Sequence, residues 1–257
     1  GHESHDGPPV SFTDWAHGAI LLDDLGSFHR TITTASPDTQ QYFDQGMRLL
    51  WAFNHDESTR SFAKAAELDP ACAMCWWGLS LTVGPNYNIP VMAEPRARVA
   101  WEALQNAQKQ AAHATPVEQA LIAALAKRYR GPQPLDPSNS GPQLVDYANA
   151  MRDVARAFPD DVDVLVLFAE AMMDTNAWKL WTANGKAAIG TPEIEETLEK
   201  ALAKNPGDKQ LEVYINQEDL NVVFTGVCDL FDVRAQQAID AAKTRGEKGG
   251  VDGSVDV

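Results

Sequence analysis

The chain has 257 residues, 44% of them hydrophobic, and carries 36 acidic against 21 basic side chains for a net charge of −15. That is enough for one large or two small domains with a sizeable core. No run approaches the ~20 apolar residues of a membrane span, so none is expected, and the acidity argues against nucleic acid or anionic membrane held through a broad electrostatic footprint.

Residues 1–37 read as mostly irregular, with Phe12, Trp15, Ile20, Leu21 and Leu22 available to dock the segment onto helices. No signal peptide is visible, and Gly1-His2-Glu3-Ser4-His5 is no natural translation start. The chain therefore reads as a processed mature form or a cloning remnant. Processing points to a periplasmic or secreted location, with the cytoplasm as the alternative.

Residues 38–130 read as the first helical half. Tyr42, Gly46, Leu49, Leu50 and Phe53 make one apolar stripe at i, i+4, i+7, i+8 and i+11. Gly46 costs helix stability and so marks a close approach by another helix. A second helix carries Phe62, Ala65, Ala66 and Leu68, and Asp69-Pro70 is expected to open a third. A helix over Pro95 to Ala114 points Val99, Leu104 and Ala107 inward. Thr115 with Glu118 reads as a capping box opening the next, with Leu121, Ile122, Leu125 and Tyr129 inward.

Gly131 to Pro142, with four prolines and two glycines, reads as a long loop between two halves. The second half, 143–245, opens with a hairpin of Leu144–Phe158 and Val162–Asp174. An irregular insert, Thr175 to Gly190, and a helix from Thr191 to Lys204 follow. Helical spacing returns from Leu220 to Ile239, and the glycine-rich tail 246–257 is expected to be disordered. No stretch alternates as a strand does, so the expected class is all-α: antiparallel helical hairpins stacked as a TPR-like α-solenoid. Moving Tyr42 on by ~34 residues, the tetratricopeptide period, lands on Trp76, and the same shift carries Leu49 to Val83. Tyr42, Gly46, Phe62, Ala65 and Pro70 fill the aromatic, glycine, phenylalanine, alanine and proline positions of one such repeat.

The blocks FDQGMRLLWAFNHDESTRSFAKAAELDPACAMCWWG, LTVGPNYNIP, AEAMMDTNAWKLWTANGK and GTPEIEETLEKALAKNP resemble a group of bacterial tetratricopeptide-repeat proteins of poorly defined function. The likeness runs from about Leu25 to Pro206. It implies a helical-repeat scaffold and no established activity. In that group the segment after the Asn-Pro turn continues into a histidine-rich helix and further repeats. Here it reads GDKQLEVYINQEDLNVVFTGVCDLFD, and no histidine follows His113. No metal or catalytic site that depends on those later histidines carries over. The chain reads as a shortened relative, a fragment or a differently ended variant.

Among chemistry-bearing residues, Cys72 and Cys75 stand at i and i+3 near a helix start, where the helix dipole favours thiolate. Copper or zinc could be bound there, with His55 and Cys228 as further ligands, and thiol redox is the other active reading. Against these stand two structural readings: small buried hydrophobes on the stripe Cys72, Cys75, Trp76, Leu79 and Val83, or a local disulfide. Trp76 after Cys75 excludes a Cys-x-x-Cys-His haem attachment.

His55, Asp56 and Glu57 at a helix start read as capping before they read as ligand or base. Trp178 and Trp181, with Tyr87 and Asn86, could line a groove for a peptide or small ligand, or simply pack the insert. No Rossmann, P-loop, G-x-S-x-G or H-E-x-x-H pattern is present. The function expected is non-catalytic: a helical-repeat binding or scaffold protein for a protein or peptide partner, or for self-association through Leu211 to Ile239, with no cofactor required. The alternative is metal binding or thiol redox at Cys72 and Cys75.

Overall fold

The computed structural model describes residues 8–182 and 185–204. Cys228, the Leu211–Ile239 segment and the tail lie outside them. The described chain is all-α, with helices α1 (Phe12–Ala16), α2 (Pro37–Trp51), α3 (His55–Leu68), α4 (Ala73–Val83), α5 (Glu94–Gln110), α6 (Pro116–Leu125), α7 (Pro137–Ala157), α8 (Val162–Asp174) and α9 (Thr191–Lys204). Successive helices from α2 to α5 and from α6 to α9 pack on one another, and α4 also touches α2 and α6. No helix among the described residues is long and apolar enough to cross a membrane.

The helix starts follow local chemistry. Ser36, Asn54, Asp161 and Thr115 each accept a backbone N–H in the first turn of α2, α3, α8 and α6, and Thr115 with Glu118 closes the expected capping box. Several boundaries differ from the sequence reading: α2 stops at Trp51 and leaves Phe53 outside its stripe in an exposed turn, α5 stops at Gln110 short of Ala114, and α6 stops at Leu125 short of Tyr129. Asp69 ends α3 instead of opening α4, whose cap is Cys72: its Sγ accepts the Cys75 N–H at 3.1 Å. The supposed loop up to Pro142 is cut short because Pro137 opens α7 at the position where a missing N–H costs nothing, leaving Pro142 inside the helix.

All eleven residues of α4 are buried. A helix apolar all round belongs at the centre of a core, so the stripe inferred for it is only one part of its packing surface. The close approach expected at Gly46 is real. A Cβ there would fall 2.8 Å from the Phe62 ring, and one on Gly78 of α4 would meet the same ring more closely still. Phe62 is thus clamped between α2 and α4 and fully buried.

The N-terminal segment docks through two of the five residues expected. Phe12 and Trp15 do pack: Phe12 meets Trp76 edge-to-face at 5.0 Å and Trp15 is buried. Ile20, Leu21 and Leu22 are exposed. Their backbone is held instead by Gln45, whose amide donates to the Ile20 carbonyl and accepts from the Leu22 N–H.

Residues 30–34 then cross one end of the stack and touch each of its three turns. The Thr34 hydroxyl donates to Asp69 at 2.6 Å. The N–H and hydroxyl of Thr33 donate to the buried Glu118. Arg30 grips Asp161 with both terminal nitrogens and reaches Asp163 at 2.8 Å. Burial alone would lower the Arg30 pKa, but its aspartate partners raise it. Asp161 is held below the usual carboxylate range by Arg30 against the opposing cost of burial.

Candidate functional site

Because the helices alternate in direction, residues 52–54, 84–93, 126–136 and 175–190 all emerge at the end opposite that strap. Direct contacts join these turns. Met92 N–H donates to the Leu135 carbonyl, and Arg96 joins the α4–α5 side to α3 by donating to the Val83 carbonyl and to Asp56. Arg128 donates to the Pro85 carbonyl.

Asn86 shapes the second turn: its buried side-chain oxygen accepts the N–H groups of Asn88 and Ile89. This Asx turn projects Tyr87, whose ring lies 5.2 Å from that of Trp178. Trp178 is 66% exposed and takes a left-handed backbone at φ +64, costly for a residue with a bulky side chain. Trp181, 38% exposed, bridges to Ala187 across the insert. Phe53, 70% exposed and also left-handed, stands at the tip between α2 and α3 beside the His55 ring. Ile89, Val91 and Ile189 are exposed on the same set of turns.

In the same region lies a buried ionic group that sequence reasoning missed. Arg128 is 1% exposed, with its guanidinium 5.9 Å from the Tyr129 ring and 5.4 Å from the Tyr147 ring. It stands 3.4 Å from Asp174, which is 8% exposed. Burial drives the Asp174 carboxyl up to about 8 against the pull of Arg128, and neighbouring Glu170 adds to the rise; burial raises Glu170 itself. Arg128 Nε and Asp174 Oδ1 have no protein partner among the described residues. The sequence signal was Glu170 and Asp174 at i and i+4 on a helix whose one other charge is Asp163 in its first turn, where a solvated face is the wrong expectation.

The other expected ligands do not converge. Cys72 and Cys75 are buried and joined by a disulfide at the strap end. His55 opens α3 at the opposite end, a helix length of ~20 Å away. Burial, then Arg96, lowers the His55 pKa, favouring the neutral ring. Among the described residues no three His, Cys, Asp or Glu side chains group as a metal site would.

No family model, curated protein or solved structure matches the chain. What the open end offers is exposed, preset aromatic surface on a rigid helical base, with a buried cation and carboxyl nearby.

Proposed function

We propose that this is a non-catalytic, TPR-like α-solenoid, related to the bacterial tetratricopeptide-repeat group that its sequence blocks resemble, and that it binds a protein or peptide partner through the open end of the stack. The repeat reading is supported by antiparallel helices in chain order and by Phe62 held between Gly46 and Gly78. The binding reading is carried by one observation: Tyr87 and Trp178, 91 residues apart in sequence, present paired rings while Trp178 stays exposed in a strained backbone. A ring needed only for packing would be buried, and strain of this kind persists where its surroundings enforce it.

Peptide-library selection on the full chain tests this. Selected peptides are expected to lose about thirtyfold or more in affinity with Trp178→Ala, the scale of an aromatic hot spot. Failure to select any peptide, or affinity unchanged in both Trp178→Ala and Tyr87→Ala, removes the reading.

A further inference from the structure

The open end differs in charge at its turns; of the acids that begin the adjoining helices, Asp56, Glu57 and Glu94, Asp56 is paired with Arg96 and Glu57 with Arg60. The turns themselves, 52–54, 84–93, 126–136 and 175–190, contain Lys127, Arg128, Arg130, Lys179 and Lys186 against the single acid Asp136, in a chain whose net charge is −15. The turns under the strap, 69–72, 111–115 and 158–161, hold Asp69, Asp160 and Asp161 and no lysine or arginine. Lys127, Lys179 and Lys186 are exposed and enter none of the ion pairs among the described residues. Lys179 follows Trp178 directly, and Trp181 stands two residues on. Cationic side chains and exposed rings thus share one end of the molecule.

We infer that the partner of this end is an acidic peptide segment bearing aromatic or aliphatic side chains. The inference rests on the binding reading above and adds the chemistry of the partner. The rings and the exposed Ile89, Val91 and Ile189 supply apolar contact, while the unpaired lysines select negative charge and reject basic sequences. An acidic peptide fits better than a nucleic acid. A polyanion with a long phosphate backbone would meet the negative field of the whole chain, and phosphates gain nothing from exposed aliphatics.

The test is selection from a random-peptide library on the full chain, wild type and Lys127→Glu/Lys179→Glu/Lys186→Glu, with circular dichroism confirming that the variant is folded. Wild type is expected to select acidic, aromatic-containing peptides, and the variant to shift the selection toward basic ones. Synthetic copies of the wild-type peptides should weaken about tenfold between low salt and about 0.3 M NaCl, where exposed charges are largely screened. If the variant does not fold, this salt dependence decides alone. Selected peptides that are neutral or basic, or that bind independently of salt, overturn the inference while leaving the binding reading intact. Peptides insensitive to both Trp178→Ala and Tyr87→Ala, or none selected, remove both. A labelled oligothymidylate binding more tightly than the selected peptides overturns the inference in favour of nucleic acid.

Discussion

At the scale of single residues, Asp174 makes the clearest commitment. Its folded pKa, about 8, lies far above that of an exposed aspartate. The folded state therefore holds a proton that the unfolded chain releases in mild acid. The sign follows: the stability contributed by protonated Asp174 is complete below the unfolded pKa and is lost as pH rises through about 8. Asp174→Asn imitates the protonated form. Melting curves from pH 5 to 9 should therefore show wild type falling behind the variant as pH rises. A constant difference across that range would show that Asp174 does not titrate there. A second residue-scale prediction concerns strain. Trp178→Gly relieves a left-handed position and should leave stability equal or about 1 kcal/mol higher, while abolishing peptide binding. Lower stability in urea denaturation would mean that the ring is structural.

At the scale of elements, the helix pairing was legible and the buried polar chemistry was not. Periodicity located α2, α3, α8 and α9 because their apolar faces repeat at the helical period, and Thr115–Glu118 marked α6 because a capping box is a local signal. The start of α4 was misread because Asp69-Pro70 looks like a cap, whereas the Asp69 carboxylate accepts the Ala71 N–H and the Thr34 hydroxyl. The second of those contacts spans thirty-five residues and leaves no trace in local pattern. The Tyr87–Trp178 pair was foreseen as a set of residues but not as a contact, for the same reason.

Two element-scale predictions follow from packing. Gly78→Ala should cost about 1–3 kcal/mol by forcing Phe62 aside, and Gly78→Ala with Phe62→Leu should recover part of it. Additive losses in chemical denaturation would show that the ring and the glycine are not coupled. Reducing the Cys72–Cys75 bond should cost about 2 kcal/mol, the chain-entropy value for so short a loop, read as a drop in melting temperature that Cys72→Ala/Cys75→Ala reproduces. An unchanged melting temperature would make the bond incidental to folding.

At the scale of the whole molecule, the two ends of the stack are chemically unlike. One is sealed by residues 30–34 through charged and hydroxyl contacts, and the other carries the rings and lysines. Arg30→Ala should cost about 2 kcal/mol, in the range of hydrogen bonds to charged groups, and should expose the segment around Gly18 and Gly26 to proteolysis. Because Arg30 holds Asp161 below its usual range, the stability from this contact is present above the unfolded aspartate pKa and lost as pH falls through the folded one. Equal protease sensitivity in wild type and Arg30→Ala would show that the crossing is not what holds the segment down.

That crossing also sets a length. Here Thr34, Thr33 and Arg30 must reach the α3–α4, α5–α6 and α7–α8 turns in that order, and five extended residues span only about 17 Å. A hairpin inserted between α4 and α7 would carry Asp161 out of reach of Arg30. The segment works as a ruler laid across the helices from α3 to α8.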